Sequence, residues 1–253
     1  MNQPTYDEIK YFCDMNNRVY SDENAIVKSY VDDDKITKLK FMSNSSIGAQ
    51  CICCLYKKTT LVVCFRGSDE LIDWFNNLKA FREELLSLND PEVLVHDGFY
   101  DIYRGVKSDI FEYVKTELST NADITSILCT GHSAGGAESE ICLVELAEEH
   151  PSIHMISLTF GAPRTGNKGF SKAFKSKCDV SLHFVNGHDP VPHLPTRIRF
   201  KNSDSWYHIE KNTIKKKDYI FWCVCTDLSR QSIDEHYPTE YSIAFDHVKD
   251  FNY

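Results

Sequence analysis

One pentapeptide constrains this chain more than any other feature. Gly131-His132-Ser133-Ala134-Gly135 sits between an apolar, strand-like run, Ile124 to Cys129, and a helical pattern from about Ser133 to Glu149. A strand that runs straight into a helix must turn sharply, and a G-x-S-x-G sequence in that context has the pattern of a nucleophile elbow. The Ser is forced into strained backbone angles, and small residues two before and two after it remove the clashes while its hydroxyl is lifted above the sheet. Gly136 and Ala137 extend the run of small residues, which lets the helix pack closely on its strand.

The rest of the chain supplies the sheet that such a turn needs. Residues 5 to 20 read as a helix ending near Asn16-Asn17. Three β-like runs follow, Lys35 to Met42, Ala49 to Tyr56 and Thr60 to Phe65, with a short Lys57-Lys58-Thr59 turn that makes the start antiparallel. Val106, Ile110, Tyr113, Val114 and Leu118 then recur at helical spacing, and strands near Ile153 to Phe160 and Val180 to Val185 alternate with helices. Residues 196 to 225 return to β character, and Thr239 to Phe251 reads as a closing helix. Strands alternating with helices indicate an α/β class with a mostly parallel central sheet, antiparallel N-terminal strands and helices on both faces. No repeat or Pro/Gly/Ser-rich linker divides the 253 residues, so residues 1–253 are expected to form one domain.

Composition narrows the partners. A net charge of −9 opposes broad contact with phosphate backbones, so nucleic acid is not an expected partner. The longest apolar run, Tyr219 to Cys225, is far short of the ~18 residues that span a bilayer. Met1-Asn2-Gln3-Pro4 lacks the basic and apolar regions of a secretion signal, which favours a cytoplasmic location over a secreted one. Of the ten cysteines, seven lie inside β-patterned segments (Cys51, Cys53, Cys54, Cys64, Cys129, Cys223, Cys225), where a free thiol behaves as a small core residue. The C-x-x-C spacing of Cys51 and Cys54 lacks a second ligand pair, and a strand would splay the two side chains, so no metal site is expected there. No cofactor is expected for the chain.

A Ser nucleophile needs a base to take its proton and an acid to hold that base, and after such an elbow the chain order is Ser, acid, His. Asp189 is the best acid, because it follows the strand Val180 to Val185 where side chains at carboxyl ends face the crevice. His193 is too close to Asp189 to come from a separate loop, and His208 lies in β-like sequence. His236 and His247 both stay open on this reading.

Several motifs together resemble the class 3 lipases, the fungal and plant triacylglycerol lipase type of α/β-hydrolase, over roughly residues 45 to 253. Phe65-Arg66-Gly67-Ser68 resembles the family's F-R-G-[ST], and Val95 to Phe99 its V-H-x-G-F. Gly131 to Ala137 resembles G-H-S-L-G-G-A, Phe160 to Gly166 F-G-x-P-R-x-G, and Asp189 to Pro195 D-x-V-P-x-L-P. Asp246-His247-Val248-Lys249-Asp250-Phe251 is similar to the family's C-terminal D-H-x-x-Y, and this resemblance selects His247 over His236. It implies an α/β-hydrolase fold, Ser133 as nucleophile, Asp189 as orienting acid, His247 as general base, and an oxyanion hole at Ser68 and the main-chain N–H of Ala134. Ala134 replaces the family's usual Leu, while Glu138 and Ser139 stand where helix residues are normally small or apolar.

After Ser68, Leu71, Trp74, Phe75 and Leu78 recur at i, i+3, i+4 and i+7, the pattern of an amphipathic helix. The resemblance implies that this segment is a lid that turns its apolar side to a lipid–water interface. The activity so implied is hydrolysis of lipid esters through an acyl-enzyme. Phospholipase A1 activity and an inactive lipase-like binding module are the alternatives.

Overall fold

The computed structural model describes the whole chain except Asn2 and residues 69–80, 196–199, 203–205, 211–212, 218–232, 249–250 and 252–253. The lid residues Leu71, Trp74, Phe75 and Leu78 therefore lie outside the described residues, as do Cys223 and Cys225.

Among the described residues, eight strands form one sheet. β1 (Ile36–Asn44), β2 (Ala49–Tyr56) and β3 (Thr60–Phe65) form an antiparallel meander at one side. The small hairpin of β4 (Arg82–Glu84) and β5 (Leu94–His96) stands apart from it. From β3 the sheet continues in parallel through β6 (Ser126–His132), β7 (His154–Phe160), β8 (Val180–Asn186) and β9 (Trp206–Glu210). β10 (Thr213–Lys217) closes the far edge antiparallel to β9. The observed order is β1-β2-β3-β6-β7-β8-β9-β10.

Because side chains alternate across a strand, each strand feeds two cores. Cys51, Cys53, Leu55, Leu61, Val63, Phe65, Ile127 and Cys129 face one side. There they meet α3 (Asp97–Thr120), α4 (Ala134–Glu149) and α5 (Lys168–Lys177). Ile52, Cys54, Tyr56, Val62, Cys64, Leu128, Leu158 and Phe184 face the other, against α1 (Tyr6–Arg18), α2 (Glu23–Ser29) and α6 (Pro238–His247). Strands buried on both faces read as continuous apolar runs rather than alternating ones, which is why β2 and β3 carry almost no polar side chain. Cys51 and Cys54 fall in opposite cores, so no single ion could hold both, and all eight described cysteines are free thiols.

Local chemistry places the helices around this sheet. Thr5 caps α1 in a reciprocal box with Glu8, and the His96 ring caps α3 by accepting from the Gly98 N–H at 3.1 Å. α4 is buried along nearly its whole length, including Glu138, Glu140 and Glu145. It is the central element on its face of the sheet, and its first residue follows Ser133 directly.

Candidate active site

Ser133 lies between the end of β6 and the start of α4, with φ 56° and ψ −132°. A positive φ in a residue with a Cβ is strained, and here the turn enforces it. A Cβ on Gly131 would overlap the Gly135 carbonyl, and one on Gly135 would sit 2.6 Å from the carbonyl oxygen of Phe65. Only glycine lets strand, turn and helix come so close. The Ser133 N–H donates to the Phe160 carbonyl at 3.0 Å, and its own carbonyl accepts from the Gly136 N–H at 2.9 Å. Its Oγ is buried and has no hydrogen-bond partner.

Asp189 follows β8 in a tight turn, its N–H donating to the Asn186 carbonyl at 3.0 Å. The carboxylate is buried and accepts three hydrogen bonds. Val191 N–H reaches Oδ1 at 2.8 Å, while the Tyr241 hydroxyl and His236 Nδ1 each reach Oδ2 at 2.7 Å. Arg164, from the F-G-x-P-R-x-G motif, braces this turn from behind. Its guanidinium donates to the carbonyls of His193 and Pro195, and to Asn202 Oδ1 at 3.1 Å.

The histidine beside Asp189 is thus His236 and not His247. His247 is the exposed last residue of α6, and its neighbour Asp246 pairs with Lys10 on α1 at 2.6 Å. Tyr241 on the same helix is the residue that reaches Asp189. A helix advances ~1.5 Å per residue, so six residues later His247 stands about 9 Å further along the axis. The resemblance of Asp246-His247 to D-H-x-x-Y therefore does not bring His247 to Asp189. The sequence does carry a signal for His236: it precedes Pro238 at the helix start, in a loop, whereas His247 falls inside the helical period of Tyr241, Phe245 and Val248.

The proton positions follow from the partners. A carboxylate only accepts, so His236 Nδ1 carries the hydrogen and Nε2 presents a lone pair. That Nε2 is buried and has no partner. The His236 ring lies against that of His132, centroids 4.7 Å apart, one residue before Ser133. A buried imidazole nitrogen and a buried hydroxyl are thus both left without a hydrogen-bond partner. Burial, with the Asp189 charge beside it, holds the Tyr241 phenol well above its ordinary range, so it remains a donor to Asp189. In the sequence, Tyr241 reads only as an apolar helix position.

The two residues expected at the oxyanion hole lie beside Ser133. Ala134 is the first residue of α4 and is buried, at the positive end of that helix. Ser68 stands three residues beyond β3 and is half-buried. Its neighbour Gly67 is so close to the elbow that an added Cβ would lie 3.2 Å from Ser133 Cβ.

Known proteins resemble this chain in both sequence and fold. Residues 62–198 match the lipase (class 3) family. A lipase of Rhizomucor miehei is 28% identical over 158 residues, covering 61% of this chain and 43% of that protein. A chloroplastic phospholipase A(1) of Arabidopsis thaliana is 26% identical over 149 residues, covering 53% and 33%. The matched part therefore spans less than half the length of these relatives. Among solved structures, a fungal lipase in complex with an inhibitor superposes with a TM-score of 0.79 at 21% identity, covering 94% of this chain and 96% of the other.

Proposed function

This chain belongs to the class 3 lipase family, and from that premise we propose that it hydrolyses carboxylic esters of lipids through a Ser133–His236–Asp189 triad. The observation that carries the reading is the buried Asp189–His236 hydrogen bond, which leaves His236 Nε2 and Ser133 Oγ both without partners.

In the first half-reaction Ser133 Oγ attacks the ester carbonyl while His236 Nε2 takes its proton. Negative charge on the carbonyl oxygen is met by the main-chain N–H of Ala134 and by Ser68, each such donor contributing a factor of ~10²–10³ in rate. The imidazolium then passes its proton to the departing alcohol. Water, deprotonated by the same nitrogen, cleaves the acyl-enzyme and returns Ser133 to its free form. Asp189 holds the imidazole in the required tautomer and stabilises its charged form in both halves.

Phospholipase A1 activity is the second reading, favoured by the likeness to the Arabidopsis protein. It needs the same triad and differs in how a headgroup is received. A reducing, cytoplasmic setting belongs to the same proposal, supported by the eight free thiols among the described residues.

The test is hydrolysis of p-nitrophenyl esters from acetate to palmitate, with and without detergent, alongside phosphatidylcholine. Turnover that disappears in Ser133→Ala supports the reading, and the preferred ester separates lipase from phospholipase. Turnover equal to that of Ser133→Ala in every condition sinks it and leaves a binding module.

A further inference from the structure

His132 takes part in no step above, yet both of its ring nitrogens are engaged. Nε2 lies 2.6 Å from the main-chain oxygen of His236, and Nδ1 lies 2.8 Å from the Tyr20 hydroxyl. A carbonyl can only accept, so Nε2 carries the hydrogen. Burial first, and the adjacent His236 second, hold this ring far below the ordinary histidine range, so it is neutral. Nδ1 is therefore an acceptor, and Tyr20 donates to it.

Tyr20 comes from beyond α1, on the opposite side of the chain's order from His236. Its hydroxyl is wedged where β3 ends. A Cβ on Gly67 would overlap Tyr20 Oη and lie 2.6 Å from the His132 carbonyl oxygen. The Arg66 guanidinium covers the Tyr20 ring at 5.7 Å. Three parts of the site thus converge on one polar line: the strand end leading to Ser68, the residue before Ser133, and the main chain of His236. Both Tyr20 and His236 fall outside the span that matches the family.

The segment bearing His236 needs such a hold. It is a single short turn, Asp234–His236, closed on itself by the His236 N–H donating to the Ile233 carbonyl. Two successive carbonyls of this turn are tied to the sheet: that of Glu235 by Asn186 Nδ2 at 3.1 Å, and that of His236 by His132. The first fastens it to the acid strand β8, the second to the nucleophile strand β6.

We propose that Tyr20 and His132 are positioning residues, forming a hydrogen-bonded strap Tyr20 Oη–H to His132 Nδ1 and His132 Nε2–H to the His236 carbonyl, which sets the height of the general base over Ser133. This rests on the triad reading given above. Loss of the Tyr20 donor leaves Nδ1 a buried acceptor with no donor, while Nε2–H still donates to the His236 carbonyl. The His132 ring then keeps one of its two anchors, and the base it holds is free to shift with it. A displacement near 1 Å costs on the order of 10²-fold in rate.

Two measurements test the strap. In ¹⁵N-histidine NMR at pH 7, His132 is expected as the Nε2–H tautomer in both the native protein and Tyr20→Phe, with its Nδ1 signal moving toward that of an unbonded acceptor nitrogen in the variant. In ester turnover, Tyr20→Phe is expected to lower kcat by about 10- to 100-fold with KM within about twofold. His132→Gln, whose terminal amide can still donate to the His236 carbonyl, is expected to retain more activity than His132→Phe. Adding Tyr20→Phe to His132→Phe is expected to do no further harm, because the hydroxyl has already lost its acceptor. Full kcat in Tyr20→Phe, or losses that multiply independently, overturns the strap. A native Nδ1–H tautomer overturns it too, and that reading survives failure of His132→Phe to fold. A protein with no ester turnover would sink the hydrolase reading, while the tautomer spectrum would still decide the strap.

Discussion

At the scale of single residues, the site turns on which atoms are left unsatisfied. Asp189 is saturated by three donors and His236 Nδ1 by Asp189, whereas His236 Nε2 and Ser133 Oγ have no partner. Replacing His236 by Ala is expected to lower kcat by roughly 10³-fold or more, and the same change at exposed His247 to leave it within about twofold. Steady-state kinetics on one soluble ester decides between them, and a loss confined to His247→Ala would return the base to His247. Tyr241→Phe removes one of the two donors on Asp189 Oδ2. A hydrogen bond to a charged group contributes about 1.5–3 kcal/mol, so a fall of about 10- to 150-fold in kcat is expected, read in the same assay. The turns that hold Ser133 and Asp189 were legible in the sequence because their neighbours in the chain build them. The histidine that meets Asp189 was not, because His193, His208, His236 and His247 all follow it and only the packing of α6 and the turn before it shows which one reaches it.

At the scale of elements, α4 is the unusual one. Most of its length is buried, yet it carries Glu138, whose Oε2 has no partner and whose carboxyl is held well above the ordinary range by burial. The folded protein therefore keeps a proton on Glu138 that the unfolded chain releases above about pH 4.5. That group lowers stability progressively as pH rises beyond this point. Glu138→Gln removes the titration. Its melting temperature should exceed that of the native protein at pH 8 and converge with it near pH 4.5, each kcal/mol amounting to about 2–4 °C in a chain of this size. A lower melting temperature at pH 8, measured by calorimetry, would mean that the carboxyl makes a contact the amide cannot. The strands of the large sheet and the long helices are readable from period and apolar runs, whereas the three-residue β4 and β5 are too short to show a period. The short α2 and α5 are not readable either, α5 because only Phe170 and Phe174 of its ten residues are buried. A helix with two anchors leaves too little period to see.

At the scale of the whole molecule, the sheet buries histidines that must stay neutral. Burial lowers His183 to about 3 and, with Arg164 nearby, His193 to about 4, while His132 is held well below its ordinary range. Between about pH 4 and 6.5 the unfolded chain binds protons at these positions that the folded one refuses. Their contribution to stability is thus full above about pH 6.5 and is lost as pH falls toward about 4. In Glu138→Gln, where the opposing carboxyl titration is removed, a melting temperature that declines steadily across that window is expected by calorimetry, and a flat profile would contradict the lowered titration of these rings.

What the sequence determined by itself was local: an elbow whose glycines permit a strained Ser, strands apolar on both faces that require helices on each side, and an acid in the turn after β8. These are set by residues within a few positions of one another, so periodicity and spacing report them. What only the tertiary structure decided was the meeting of distant segments. Tyr20, His132, Asp189, His236 and Tyr241 come from separate parts of the chain, and the hydrogen bonds among them depend on helix axes and strand ends that no local pattern encodes. The choice of His236 over His247 was of that kind, set by where α6 starts and how far each residue carries it from Asp189.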